Sequence, residues 1–379
     1  MKLIIAGGGT GGHLFPGIAV AEEFLSRDPA NQVLFVGTER GIEARAVPAA
    51  GFPLELISAA GIRGKGGLGK LRGAAMMFNG YRQSCRLLDR FRPDAVLGVG
   101  GYASLPMLLA ARTRQVPSFI HEQNAVPGMT NRLLSRFADR IFITLEESSR
   151  FFAGRRTLLT GNPLRRQILD RLGTRDQGPG IRDQEKHMTD STGPASRVPG
   201  PRFNLLVFGG SQGAHAINMA MVAALPLLKR ASVRLGITHQ TGESDRERVA
   251  AAYRSAGVEA RVLPFIADMA SEYARADLVV CRAGATTIAE VTALAKACLF
   301  IPFPYAVDDH QRRNAEALLR QSACFMLLER ELSAERLAAL ILQLAGDPRL
   351  VRRTGELAFS MARLDAARII VDEILTPTN

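Results

Sequence analysis

Three glycine-rich turns carry the residue types that hold phosphate. They are GGGTGGH (7–13), GVGGYAS (98–104) and GGSQGAH (209–215), and each follows an apolar run and opens a helical pattern. Glycine lets the backbone pass close to an anion, and a helix N-terminus offers unpaired N–H groups with a partial positive charge. Ser211 and Gln212 add side-chain donors to the third of these, a sensible cradle for a diphosphate. Gly7, Gly9 and Gly12 also fit G-x-G-x-x-G, and Glu39 stands where a dinucleotide site would keep its ribose acid. His13, in the first helical turn, has no task in that alternative. A plain tight turn is the bland reading of each, with Ser104 as an N-cap in the second.

Four further segments gather polar side chains at apolar run ends. HEQNAVPG (121–128) places His121, Glu122, Gln123 and Asn124 before a Pro-Gly turn, good ligand-facing material. TGNPLR (160–165) reads as a hinge with Arg165 beside it. CRAGATTIAE (281–290) offers the backbone donors and hydroxyls of Gly284 to Thr287, with Glu290 one helical turn later on the same side. A carboxylate there can accept two hydrogen bonds from a ribose diol. PYAVDDHQRRNA (304–315) holds Asp308, Asp309, His310, Gln311 and Asn314. Asp-Asp-His invites a metal, but no second ligand cluster accompanies it, so none is expected.

The elements that must position these residues alternate. Apolar strands at 2–6, 32–37, 94–101 and 117–122 are separated by helical stretches at 15–25, 72–90 and 104–113. Strands separated by helices imply a parallel sheet covered on both faces. The same grammar restarts at FNLLVFGGSQGAH (203–215), with strands at 233–242, 260–266, 277–284 and 298–304. The reading is therefore a domain at 1–162, a second at 163–355, and a helical tail at 356–379 that packs back on the first. Residues 173–200 hold five Gly and three Pro but few large apolar side chains, and read as a disordered insertion. Ala358 to Leu375 has amphipathic helical spacing.

Composition narrows the class. With 379 residues, 47% hydrophobic and 22% charged, the chain has material for two cores. No apolar run is long enough to span a bilayer, and the N-terminal one is too short for a secretory signal, so the chain is expected in the cytoplasm. Four scattered cysteines without a C-x-x-C pair read as buried, reduced thiols and no structural zinc. Net charge is +12, and residues 61–92 hold eight Lys and Arg against a single acid, Asp89. That segment also carries Leu68, Leu71, Met76, Met77, Phe78 and Tyr81, which suits an anionic lipid surface. Nucleic acid fits less well, because the cations are not interleaved with stacking aromatics.

Taken together, GGGTGGHLFPGIAVA, GIRGKG, PDAVLGVGGYAS, HEQNAVPGMTN, TGNPLR, FGGSQGAHAIN, VVCRAGATTIAE and PFPYAVDDHQRRNA resemble the MurG family in order and in residues. These are bacterial glycosyltransferases that add N-acetylglucosamine to the lipid-linked muramyl-pentapeptide of peptidoglycan synthesis. The resemblance implies an α/β GT-B fold, two Rossmann-like parallel-sheet domains facing across a cleft. It implies UDP-N-acetylglucosamine (UDP-GlcNAc) and lipid I as substrates, no cofactor or metal, and a peripheral place on the cytoplasmic face of the inner membrane. Contacts with an anionic membrane surface through 61–92 and with other cell-wall synthesis proteins follow from it, and nucleic acid does not.

On that pattern Glu290 holds the ribose, Ile266 meets uracil through its backbone, and Ser211, Gln212 and Arg165 meet the diphosphate. Ala285, Thr286, Thr287, Ile288, Ala289, Gln311 and Asn314 line the sugar and phosphate side. Thr10, Gly11, Gly12 and Asn124 lie across the cleft. An acceptor hydroxyl attacks C1 opposite the departing UDP, and His13 is the leading candidate for its base, with Glu122 second. Another GT-B transferase with a lipid acceptor, or a non-catalytic nucleotide-binding module, is the alternative.

Overall fold

The structure is a computed structural model that describes residues 1–39, 41–60, 67–175, 202–210, 213–231 and 233–376. Its first sheet has seven strands: β1 (Lys2–Gly7), β2 (Gln32–Gly37), β3 (Leu54–Leu56), β4 (Ala95–Gly100), β5 (Ser118–Glu122), β6 (Arg140–Ile143) and β7 (Thr157–Leu159). Their order is β3-β2-β1-β4-β5-β6-β7, and every pairing is parallel. The second has six: β8 (Phe203–Phe208), β9 (Leu235–Gln240), β10 (Ala260–Leu263), β11 (Leu278–Cys281), β12 (Ala297–Phe300) and β13 (Phe325–Met326). Their order is β10-β9-β8-β11-β12-β13, again all parallel. This is the doubled Rossmann-like α/β architecture expected of a GT-B fold.

The strands are apolar runs because helices cover both faces, and each sheet accordingly sits between two core clusters. Leu3, Ile4, Ile5 and Ala6 of β1 are fully buried. In each sheet the order reverses beside the first strand, between β1 and β4 and between β8 and β11. A crevice opens outside the carboxyl ends of the strands at such a reversal. All three glycine turns leave strand ends at these points.

Several sequence expectations are corrected. Strands β3, β6, β7 and β13 are too short to stand out from the sequence. The helix Arg166–Arg175 runs into the segment read as an insertion, so 173–175 are helical, and the rest of that reading, from 176, lies outside the described residues. The tail from 358 to 375 is not one helix. Pro348–Ser360 stays with the second domain, burying Ala358 in its core, and a new helix begins at Ala366. That helix, Ala366–Leu375, packs on the first domain, where Ile370, Val371 and Ile374 join Leu3, Ile5, Val20 and Phe24 in one cluster.

The chain thus crosses between domains twice, at 160–165 and 361–365, and the two crossings touch. Gly161 has φ +84, and a Cβ on it would lie 2.5 Å from Cβ of Arg363. Only glycine fits there. All four cysteines are buried and free.

Candidate active site

The first glycine turn is built backbone to backbone against the second. A Cβ on Gly7 would lie 2.3 Å from the Gly100 carbonyl oxygen, and one on Gly101 would lie 2.4 Å from that of Gly8. Ser104 does not cap its helix, as the sequence suggested. Its hydroxyl accepts from Gly100 N–H (3.1 Å) and reaches the carbonyl of Ala6 (2.8 Å), welding the ends of β4 and β1.

Two amides of the turn are spent internally. Gly8 N–H donates to Gly100 O (3.1 Å) and Gly9 N–H to the Glu43 carboxylate (2.7 Å). Glu43 is buried and also accepts from the amide (2.9 Å) and hydroxyl (3.0 Å) of Thr38. The His13 amide donates to the Thr10 carbonyl (3.2 Å), so the donors left for an anion are Thr10 and the amides of Gly11 and Gly12 at the start of the helix Gly11–Arg27. Glu43 was missed from the sequence, since nothing in its neighbourhood of chain signals a turn 34 residues away.

Pro16 lies inside that helix and has no N–H to give the carbonyl four residues back, which is that of Gly12. Thr286 Oγ1 of the second domain reaches this same oxygen at 3.5 Å. Further contacts close the crevice on that side. Asn314 Nδ2 donates to Asn124 Oδ1 (3.1 Å), and Ala125 N–H donates to Asn314 Oδ1 (2.8 Å). Thr10, Gly11, Gly12, Asn124, Thr286 and Asn314 are therefore brought together at one crevice.

His13 is half-buried, and its Nδ1 lies 2.9 Å from Gln123 Oε1. Glu122 does not have the place of a base. Its buried carboxylate accepts from the amides of Asn124 (2.9 Å) and Gly128 (3.2 Å) and from Asn131 Nδ2 (2.8 Å), so it ties down the 122–131 loop.

On the second domain, the Gly210 carbonyl accepts from Gly213 N–H (3.0 Å) and from Gln240 Nε2 (2.7 Å). Ser211 and Gln212 lie outside the described residues. Gln240 Oε1 in turn accepts the Ile266 amide (2.7 Å), so that amide is taken and the Ile266 carbonyl remains for a base edge. Gln240, another residue that sequence reasoning missed, thereby ties the turn after β8 to the segment after β10.

The helix Ala285–Ala293 starts at the end of β11, with Gly284 as its extended N-cap. Thr286, Thr287 and Ala289 are half-buried, whereas Ala285 and Ile288 are buried and offer the crevice backbone only. Glu290 is buried, and its Oε1 takes both Nε and Nη2 of Arg165 at 2.7 Å. Its Oε2 accepts from Tyr273 OH (3.1 Å). Burial pushes the Glu290 carboxyl above its ordinary range, and Arg165 and Tyr273 pull it back. The Arg165 guanidinium also lies over Phe15 of the first domain, 5.3 Å from the ring centre. Gln311 Oε1 accepts the Phe303 amide (3.0 Å), which fixes the loop after β12.

Among the described residues, no group of three or more His, Cys, Asp or Glu is placed to hold a metal. No helix of the described residues is long and apolar enough to cross a membrane. The basic segment is described from 67 onward as part of the helix Gly67–Phe91, and 61–66, with Arg63 and Lys65, lie outside the described residues. Arg72 is exposed on that helix, and Phe78 is 63% exposed.

Comparison with known proteins decides the family. Residues 3–143 match the glycosyltransferase family 28 N-terminal domain, and residues 204–365 match the glycosyltransferase family 28 C-terminal domain. The chain belongs to glycosyltransferase family 28. Among family-28 relatives, the UDP-N-acetylglucosamine–N-acetylmuramyl-(pentapeptide) pyrophosphoryl-undecaprenol N-acetylglucosamine transferase of Trichlorobacter lovleyi is 61% identical, with 99% of this chain and 98% of that protein covered. The transferase of the same name from Geobacter sulfurreducens is 58% identical over 100% and 99%. Among solved structures, MurG of Acinetobacter baumannii superposes with a TM-score of 0.75 at 32% identity, covering 98% of both chains. The two family-28 domain matches fall on the two sheets, with the 160–165 crossing between them.

Proposed function

We propose that this crevice carries out an inverting displacement in which helix-terminal amides and Arg165 absorb the charge of the departing UDP. The enzyme is a hexosyltransferase that moves N-acetylglucosamine from UDP-GlcNAc to lipid I in peptidoglycan synthesis, the activity its relatives carry in their names. The acceptor C4 hydroxyl attacks C1 of the donor sugar opposite the UDP, forming the β-1,4 bond as the C1–O bond to diphosphate breaks. Negative charge grows on the diphosphate oxygens as that bond lengthens. Donors already oriented at that position stabilise the transition state more than the ground state.

The reading assigns the diphosphate to Arg165, Ser211, Gln212 and the start of the helix His215–Arg230. Glu290 receives the ribose diol, and the Ile266 carbonyl the uracil. A carboxylate offers about four acceptor positions; Arg165 takes two and Tyr273 one, which leaves Glu290 one for a ribose hydroxyl, and a second opens only if Arg165 turns to the diphosphate. Thr10, Gly11 and Gly12 face the acceptor diphosphate, and His13 takes the hydroxyl proton. No step is assigned to a metal. The membrane contact is assigned to the basic segment 61–92, with the exposed Arg72 on the helix Gly67–Phe91, on the cytoplasmic side, where lipid I is held.

The observation that carries this reading is the approach of Thr286 to the Gly12 carbonyl, which sets the helix start of one domain against that of the other. The test is UDP release with UDP-GlcNAc and lipid I, for the wild type and His13→Ala. The variant should lose about 100-fold or more in kcat with donor KM unchanged. Near-full kcat would remove His13 from the base role. Charge reversal at Lys65, Lys70 and Arg72 should weaken binding to anionic vesicles and spare donor affinity.

A further inference from the structure

The hydrogen bonds behind His13 run in one direction. The Val99 carbonyl can only accept, so the Gln123 amide nitrogen faces it (2.9 Å) and the Gln123 oxygen is turned toward His13. An amide oxygen can only accept, so His13 Nδ1 carries the hydrogen of that 2.9 Å contact. A neutral imidazole has a single N–H, so Nε2 is left with its lone pair. Nε2 has no hydrogen-bond partner among the described residues.

Gln123 is itself held from behind. Its nitrogen also lies 3.1 Å from His121 Nδ1, which must accept, so His121 carries its hydrogen on Nε2 and donates to the Gly161 carbonyl (3.2 Å). A protonated His121 would turn a second N–H toward the Gln123 NH2 and force the amide over. Burial holds His121 neutral, with its pKa pushed down to about 4. The titratable groups around this row are few. Glu122 is tied to its own loop, Glu43 sits behind the first glycine turn, and Arg165 lies over Phe15.

We propose that Gln123 is a positioning residue that locks His13 as the Nδ1–H tautomer, held in that orientation by His121, so that Nε2 is the proton acceptor in the crevice. The catalytic consequence rests on the reading of His13 as the base. The tautomer itself does not. Unlike a carboxylate partner, a neutral amide orients the ring without placing a negative charge beside it.

The test uses the full-length enzyme labelled with 15N in histidine, with nitrogen shifts read at neutral pH. Wild type should show His13 with a protonated Nδ1 and a bare Nε2. Gln123→Met should lose that signature, lower kcat by about 100-fold, and leave donor KM within about twofold. Gln123→Glu should keep the tautomer but move the acid limb of the kcat–pH profile upward by about one pH unit, because a carboxylate stabilises the imidazolium.

A Met variant that retains the Nδ1–H signature overturns the proposal, and so does a Glu variant with an unmoved acid limb. If the tautomer is lost in Gln123→Met while His13→Ala keeps full kcat, the base reading fails and the tautomer assignment stands. If His13→Ala is inactive while Gln123→Met keeps both tautomer and rate, the reverse holds.

Discussion

Arg165 and Glu290 form a two-toothed pair in which one carboxylate oxygen takes both guanidinium nitrogens at 2.7 Å, while the same guanidinium covers Phe15 of the other domain. The pair therefore lies where the hinge, the donor side and the acceptor side converge. Breaking it should be costly in a pH-dependent way. A carboxyl whose folded pKa stands above its unfolded one binds more protons when folded, so its contribution to stability falls as pH rises through the folded value. Burial already raises Glu290, and Arg165→Ala removes the largest opposing influence. The variant should lose about 3 kcal/mol near neutral pH, with much of that loss recovered in acid once Glu290 is protonated. Urea unfolding at the two pH values measures it. An equal loss at both would show that the buried carboxylate is not the destabilised group.

The two domain crossings give a second prediction. Gly161 has a positive φ and no room for a Cβ beside Arg363. Gly161→Ala should destabilise by about 2 kcal/mol from backbone strain and crowding together. Arg363→Gly in the same chain should recover the crowding part and leave the strain. Thermal unfolding of the single and double variants reads the coupling. Fully additive losses would mean that the crossings do not press on one another.

Acid should unfold the protein partly through its buried histidines. His239 is buried, with Nε2 donating to Asn218 Oδ1 (3.0 Å) and Nδ1 beside Tyr253 OH (3.1 Å). Burial pushes its pKa down to about 4, against 6.5 ordinarily, as at His121. The unfolded chain binds the proton first, so the stability due to neutral His239 is present above about pH 6.5 and is lost as pH falls toward 4. The full change is about 3 kcal/mol per histidine. His239→Gln should therefore show a shallower loss of urea midpoint across that window than wild type. Parallel curves would sink the assignment.

The glycine turns and the doubled α/β order are legible in the sequence because glycine clusters at strand ends are local signals. Strands β6 (RIFI) and β7 (TLL) are not, since four and three residues give no period to read. The site is legible in its ligand-facing residues but not in what supports them. Glu43 reaches Gly9 across 34 residues, and Gln123 reaches His13 across 110. Partners so distant in sequence become evident only when the sheet brings β1, β4 and β5 side by side. Ile288 shows the converse, offering the crevice its backbone alone. It shares a segment with crevice residues, but the helical turn aims its side chain into the core.

The return of the helix Ala366–Leu375 to the first domain has a consequence for how the polypeptide is made. Ile370, Val371 and Ile374 fill a core whose other members are nearly all encoded before residue 143. While the second domain is still being translated, the first waits with an uncovered apolar groove on its surface. It closes only when the codons for 366–375 have been read and that helix has left the ribosome. A stop codon ahead of Ala366 would then damage the N-terminal half, although every residue of that half had been synthesised intact.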